Sequence, residues 1–355
     1  MRLEDLGWDE QFAAACATPP PAPDVEPGRI AVEFNYLYRV YVQDGEIEAV
    51  LAGRIKHHAV SRGEFPAVGD WVVLRRRANE GGVIVRVLPR RTKFSRRMAG
   101  QETDEQVVAA NVAIIFVVMA LDADFSVRRL ERYLLMSHES GAEPVVVLTK
   151  PDLADDLPSQ LAEVATVAAG AAVHVVSPRS GEGLDLIRAR LTPGVTGALL
   201  GSSGVGKTTI INRLVGNELR RTREVRESDA KGRHTTTHRE LIVLPGGGLL
   251  IDTPGMRELQ LWDAPDALRQ AFDDVESLAA GCRFGNCRHR DEPRCAVKQA
   301  VEEGQLDPSR LEGYLKLQEE LSFLAQQQDQ RAQTEERRRS KVQSKALRAH
   351  YRNKK

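Results

Sequence analysis

The amino-acid sequence predicts an α/β protein in three parts: a small β-barrel, a mostly parallel sheet with helices on both faces, and a helical segment stapled by a metal. Three observations carry this expectation. Short β-rich runs crowd residues 29–97, apolar strands alternate with helical segments from about Val107 to Thr253, and three cysteines and a histidine gather between Cys282 and Cys295. Alternation of the second kind builds parallel sheets covered on both faces, whereas closely spaced strands divided by turn signals build barrels.

Taken in order, residues 1–28 carry six acidic side chains against one basic, and Thr18 to Gly28 (TPPPAPDVEPG) reads as an extended, proline-rich linker. Folded structure is expected to begin after it. Residues 29–100 reverse the balance, with fourteen basic and seven acidic side chains. Their runs IAVEFNYLYRVYV, VGDWVVL and GGVIVRVL fit an OB-like barrel, of the oligonucleotide-binding type, whose basic surface would be Arg75, Arg76, Arg77, Arg90, Arg91, Lys93, Arg96 and Arg97. Across residues 101–270 the α/β pattern passes through VAIIFVVMAL, a helix near Val127 to Ser140, PVVVLTK, a helix near Gln160 to Ala169, and VHVVS. Residues 271–330 hold the Cys/His cluster and helical sequence from Pro308 to Gln328; residues 331–355 form a tail with ten basic and two acidic side chains, expected to stay mobile until it meets a partner. The formal net charge of zero thus averages two basic zones around a more acidic middle, as expected when a polyanion is touched at both ends.

Some classes are excluded. Met1 to Ala15 contains Glu4, Asp5, Asp9 and Glu10 and no uninterrupted apolar run, so it does not read as a secretion signal. The run Val107 to Leu121 is interrupted by Asn111, falls short of the ~20 residues that span a bilayer, and reads as a buried strand. A cytoplasmic monomer with no membrane partner is expected. Three of the four cysteines cluster while Cys16 stands alone, which favours a metal site over a disulfide framework.

The chemistry centres on Gly201 to Thr208, GSSGVGKT, set between the apolar run GALL and the helix-compatible TIINRLVG. This strand, loop and helix context is what a phosphate-binding loop requires. Gly201, Ser202, Ser203, Gly204, Val205 and Gly206 would wind backbone N–H groups around phosphates at a helix N-terminus. Lys207 would reach the β- and γ-phosphates, Thr208 would ligate Mg²⁺, and Thr209 lies beside them. The base must be read elsewhere. Thr149-Lys150-Pro151-Asp152 follows the strand PVVVL and resembles the Asn/Thr-Lys-x-Asp guanine motif of GTPases. A carboxylate at Asp152 can accept from the guanine N1–H and exocyclic amine, a donor pair that adenine lacks. Ser177-Pro178-Arg179 stands where such proteins carry Ser-Ala-Lys, but proline has no N–H to offer the guanine carbonyl.

Asp252-Thr253-Pro254-Gly255 follows GGLLI and resembles the Asp-x-x-Gly switch, in which Asp252 and Gly255 would sense the γ-phosphate and Mg²⁺. Before it lies the polar stretch Arg220 to Glu240, ending in GRHTTTHRE. Thr235, Thr236 and Thr237 all qualify as its metal ligand, spacing does not choose among them, and Thr236 is counted with the nucleotide contacts. Met256 occupies the position where many GTPases place a water-orienting glutamine. His234 is therefore the favoured catalytic candidate, since an imidazole can position or polarise water near neutral pH, with His238 a rival.

The base-reading motifs precede the phosphate loop and both switches, a circular permutation of the usual GTPase order. Together with VGDWV at Val68 to Val72, AANV at Ala109 to Val112, GRHTTT and the cysteine cluster, this order resembles the ribosome-small-subunit-dependent GTPase A family (RsgA). The resemblance implies GTP hydrolysis in late maturation of the small ribosomal subunit, with rRNA bound in the GTP state and release on hydrolysis. Cys282, Cys287, His289 and Cys295 form a complete tetrahedral set for one structural zinc, with no position open for catalysis. Arg283, Arg288, Arg290 and Arg294 would make that knuckle a basic RNA-contacting surface, as the resemblance also implies. Two other readings compete: an ATP-using P-loop enzyme, and an RNA-binding scaffold with a vestigial nucleotide site. TKPD weighs against the first, and intact Gly206, Lys207, Thr208 and Asp252 against the second.

Overall fold

The computed structural model describes residues 2–18, 24–34, 36–59, 61–77, 81–97, 105–168, 170–216, 239–252, 268–269 and 271–322. After a short N-terminal helix, α1 (Glu10–Ala17), the strands β1 (Val25–Phe34), β2 (Leu37–Val42), β3 (Gly45–Leu51), β4 (Trp71–Arg76) and β5 (Gly82–Val87) pair in the order β1-β2-β3-β5-β4. β4 returns to β1 and closes the barrel. Helix α2 (Gly53–His58) leaves the end of β3. Alternate residues of the barrel strands, Ile30, Tyr38, Val40, Val72, Leu74 and Ile84, fill its core.

A hairpin of β6 (Lys93–Arg97) and β7 (Glu105–Ala110) leads into the α/β part. There β8 (Ile114–Ala120), β9 (Glu143–Thr149), β10 (Ala172–Val176), β11 (Thr196–Leu200), β12 (Glu240–Val243) and β13 (Leu249–Asp252) lie in the order β10-β9-β8-β11-β13-β12. All neighbours are parallel except β12 and β13. Helices α3 (Val127–Ser140), α4 (Leu157–Val167), α5 (Leu184–Arg190) and α6 (207–216) connect the strands. Every residue of β8 is buried: Ile115, Val117 and Met119 enter one apolar cluster, Ile114, Phe116, Val118 and Ala120 the other. That is the signature of a sheet covered on both faces. α7 (Asp273–Ala279), α8 (Ala296–Glu302) and α9 (308–322) complete the described chain. Among the described residues no helix is long and apolar enough to cross a membrane.

Three sequence expectations need correction. Folded structure begins well before Arg29: Leu6 and Phe12 are buried, and β1 already starts at Val25. The apolar run Val107 to Leu121 is two strands, because Asn111 adopts a left-handed conformation (φ 54°) that breaks it between β7 and β8. The barrel's arginines are not all a free basic surface, since the acidic N-terminal residues answer several of them. Asp9 pairs with Arg91, Asp24 with Arg75 and Glu26 with Arg76, while Arg90 is engaged by the fully buried Asp70 at 2.7 Å.

The junction between barrel and sheet explains two motifs. Arg29, only 2% exposed, donates to the carbonyls of Leu6, of Gly69 (3.2 Å) and of Asn111 (3.1 Å). One guanidinium thus ties the N-terminal segment, the VGDWV turn and the AANV turn together. Gly69 is left-handed (φ 90°), and a Cβ there would stand 2.2 Å from the Ala110 carbonyl. Only glycine allows that approach. Desolvation lowers the Arg29 pKa to about 9, in spite of the nearby Asp70 carboxylate. The barrel also extends the sheet, because Val32 of β1 pairs with Glu240 of β12. A lysine cannot present three donors in a planar fork, so Arg29→Lys should cost about 2–4 kcal/mol. An unchanged denaturant midpoint would show that the junction does not need the guanidinium.

Candidate functional site

The strand order places the site. From β8 the chain moves outward to β9 and β10; from β11 the sheet continues the other way to β13 and β12. Loops leaving the carboxyl ends of β8 and β11 therefore diverge and open a crevice, where ligands of such sheets bind.

The GSSGVGKT loop leaves β11 there. Gly201 (φ 156°) lies so close to β8 that a Cβ would stand 2.2 Å from the Val118 carbonyl, and buried Val205 pins the loop to the core. Lys207 Nζ donates to the Gly201 and Ser202 carbonyls at 2.7 and 2.5 Å, folded back on its own loop. Thr208 and Thr209, in the first turn of α6, are exposed, as are Ser203 and Gly204.

Two further loops converge on this one. Thr149 Oγ1, buried at the end of β9, donates to the Val205 carbonyl at 2.6 Å, tying the TKPD segment to the phosphate loop. Lys150 is left-handed (φ 57°), which sends Pro151 and Asp152 into a short 3₁₀ turn that leaves Asp152 exposed. Ser177 Oγ accepts from the Ser180 N–H at 3.4 Å, and the Pro178 ring lies 3.6 Å from where a Gly206 Cβ would be. The proline that cannot donate an N–H instead packs against the phosphate loop. Asp252 ends β13, paired across the strands with Glu240. His234, Thr235, Thr236, Thr237, His238 and Gly255 lie outside the described residues.

Some residues at the crevice escape sequence reasoning. Asp122, just past β8, holds Lys150 Nζ at 2.7 Å; that bond first, and the Asp124 N–H second, keep its carboxyl below the usual carboxylate range. Its signal is a carboxylate at the end of a parallel strand, which is informative only once β8 is known to be central. Arg129 and Tyr133 of α3 reach the Ser202 hydroxyl at 3.0 and 3.4 Å. The same helix carries the C-terminal part on its other side: Arg310 of α9 is buried between Glu131 (2.9 Å) and Asp274 (2.9 Å), and Arg132 pairs with Glu320 at 2.6 Å. Burial pushes the Glu131 carboxyl up, against the opposing pull of Arg310.

The cysteine cluster is assembled as expected. Ligand atoms of Cys282, Cys287, His289 and Cys295 all lie within 4.8 Å of one another. Cys282 Sγ is 3.9 Å from Cys295 Sγ and 3.6 Å from His289 Nδ1, and His289 Nδ1 is 3.4 Å from Cys295 Sγ. Metal–sulfur and metal–nitrogen bonds of about 2.3 and 2.0 Å in a tetrahedron give edges of about 3.5–3.8 Å, so the set fits a tetrahedral cation.

Sheet order, phosphate loop and base-side loops define a P-loop nucleotide hydrolase of the GTPase class with permuted connectivity. The RsgA GTPase family model matches residues 87–262. The chain is 47% identical to the small ribosomal subunit biogenesis GTPase RsgA of Opitutus terrae, over 93% of this chain and 92% of that one. It is 44% identical to RsgA 1 of Oceanobacillus iheyensis, over 88% and 90%. Among solved structures it resembles YjeQ from Thermotoga maritima (TM-score 0.65, 26% identity, 84% of this chain and 98% of that one). It also resembles YloQ, described as a circularly permuted GTPase (TM-score 0.61, 25% identity, 84% and 95%). The chain belongs to the RsgA GTPase family.

Arg310→Ala would leave Glu131 buried without its partner, a loss of about 3–5 kcal/mol. Urea denaturation should register it, and a variant as stable as the parent would show that Glu131 finds another partner.

Proposed function

We propose that this GTPase acts in late maturation of the small ribosomal subunit, binding rRNA in its GTP state and leaving on hydrolysis. The observation that supports it most is the convergence of the Thr149, Pro178 and Gly201 loops on one crevice, in a chain whose relatives carry that biogenesis role in their names. The working unit is a cytoplasmic monomer, divided into the N-terminal segment, the barrel, the permuted GTPase domain, the metal-binding helical domain and the basic tail. The first boundary is moved back from residue 29 to Val25.

GTP binding requires Lys207 to leave the Gly201 and Ser202 carbonyls for the β- and γ-phosphates, while the N–H groups from Ser202 to Thr209 surround the phosphate oxygens. Thr208, Asp252 and one of Thr235, Thr236 and Thr237 would hold the Mg²⁺ that neutralises phosphate charge, with Gly255 on the γ-phosphate. Asp152 reads guanine, with the Lys150 stem packed over the base and Asp122 holding its amine in place; Pro151 and Ser177 border the base. His234 orients the attacking water in place of the missing glutamine at Met256.

Guanine selectivity tests the assignment. The unmodified protein should prefer GTP to ATP, and Asp152→Asn should shift preference toward xanthine nucleotide, because the amide presents a donor where guanine presents one too. Equal affinity for ATP and GTP would overturn it. In the same single-turnover assay, isolated small subunits should accelerate hydrolysis strongly, and His234→Ala should abolish the acceleration while sparing GTP binding.

The Cys₃His set holds one zinc as a structural staple. Elemental analysis should find about one zinc per chain, and a chelator should loosen residues 282–295 to protease while GTP binding persists. A metal-free protein with an unchanged digestion pattern would refute the staple.

A further inference from the structure

Among the described residues, two large aromatic side chains stand exposed, Tyr36 on the barrel and Phe284 on the knuckle, each at 41%. Both carry a cation: Lys56 Nζ lies 4.8 Å from the Tyr36 ring centroid, and the Arg283 guanidinium 5.5 Å from that of Phe284. A single exposed ring is ordinary, but an aromatic face beside cations on a basic surface is the kind of surface on which unpaired nucleic-acid bases stack.

Each ring is held before any partner arrives. Phe284 sits between the ligands Cys282 and Cys287, and its carbonyl accepts from the Cys287 N–H at 3.2 Å, so the turn that carries it is closed by the metal cluster. A Cβ on the next residue, Gly285, would meet nothing within 4 Å, so the tip is open. The Arg283 N–H donates to the Arg294 carbonyl at 3.5 Å, bringing a second exposed arginine alongside, and Arg288 is exposed on the same knuckle. Tyr36 occupies the β1–β2 turn with a left-handed backbone (φ 67°) and leans edge-on against Phe65 at 5.7 Å. Rings fixed in this way lose little conformational freedom when a base covers them.

We propose that Phe284 and Tyr36 are two stacking platforms for unpaired RNA bases, with the neighbouring cations taking the phosphates. This rests on the RNA-binding reading given above and names what it engages: splayed, single-stranded nucleotides rather than duplex backbone alone. Stacking and phosphate contact leave different marks. Loss of a stacked base weakens binding equally at every salt concentration, whereas loss of a phosphate contact flattens the salt dependence.

The test measures binding of the full-length, zinc-loaded protein to an unstructured oligouridylate RNA and to isolated small subunits across a salt series. Phe284→Leu and Tyr36→Leu should each weaken binding by roughly 5–100-fold, the range of one lost stacked base, with the salt slope and zinc content unchanged. Phe284→Trp should restore affinity. Leucine variants that bind like the parent, or that change the salt slope instead, would overturn the platforms while leaving RNA binding intact. A parent protein that binds neither probe would overturn the RNA-binding reading itself, and the platforms with it.

Discussion

A guanidinium removed from water must have its donors met, and Arg29 finds three backbone carbonyls in three separate stretches of chain. None of the stretches can be displaced without leaving a buried charged donor unanswered, a cost larger than most surface interactions in the molecule. The left-handed turns at Gly69 and Asn111 present two of those carbonyls, and Asn111 Nδ2 adds a bond of 3.1 Å to the same Gly69 carbonyl. Barrel, N-terminal segment and nucleotide-binding sheet therefore share one orientation. The surface pairs between the acidic N-terminus and the barrel arginines add little individually. They do, however, neutralise charge that would otherwise repel across the junction.

Circular permutation costs this fold little, because the sheet is specified by which strands neighbour one another rather than by the order of their synthesis. β8 and β11 are adjacent at the centre, and the crevice they open would form whichever of them came first in the chain. What permutation does change is the far side of the second switch. In sequence, twenty residues, 253–272, separate the end of β13 at Asp252 from the start of α7 at Asp273, so the Cys/His module follows directly on the Asp252 strand.

Much of this was legible in sequence because the signals are local. The helix near Val127 to Ser140, the glycines of the phosphate loop, and the close spacing of Cys282, Cys287, His289 and Cys295 need only neighbouring residues to be understood. The errors came where a remote partner decides. Composition made Thr18 to Gly28 a linker, yet Val25 to Gly28 pair with Val72 to Arg75 across the barrel. Apolar continuity joined β7 to β8, yet Asn111 breaks the run to serve a turn 42 residues away. Arg90 read as surface charge because Asp70, its buried partner, announces itself only as part of a turn. Likewise Asp122 and Arg129 acquire meaning only when the topology brings them to the crevice.

Two contact routes reach that crevice, one from the barrel and one from the knuckle, and they meet different parts of it. From the barrel, Val32 pairs with Glu240, which pairs in turn with Asp252, so one residue lies between the barrel wall and Asp252. From the knuckle, Arg290 pairs with Glu319 on α9, and α9 grips α3 through Arg310–Glu131 and Arg132–Glu320. Gly313 lets that grip close, since a Cβ there would stand 2.6 Å from the Glu131 carboxylate. The opposite face of α3 then holds the Ser202 hydroxyl, while Lys207 holds the Ser202 carbonyl. Ser202 is thus fixed from one side by α3, which packs against α9, and from the other by Lys207. The two sides of the crevice are therefore braced by different parts of the chain, the Asp252 side by the barrel and the Ser202 side by α3 and α9.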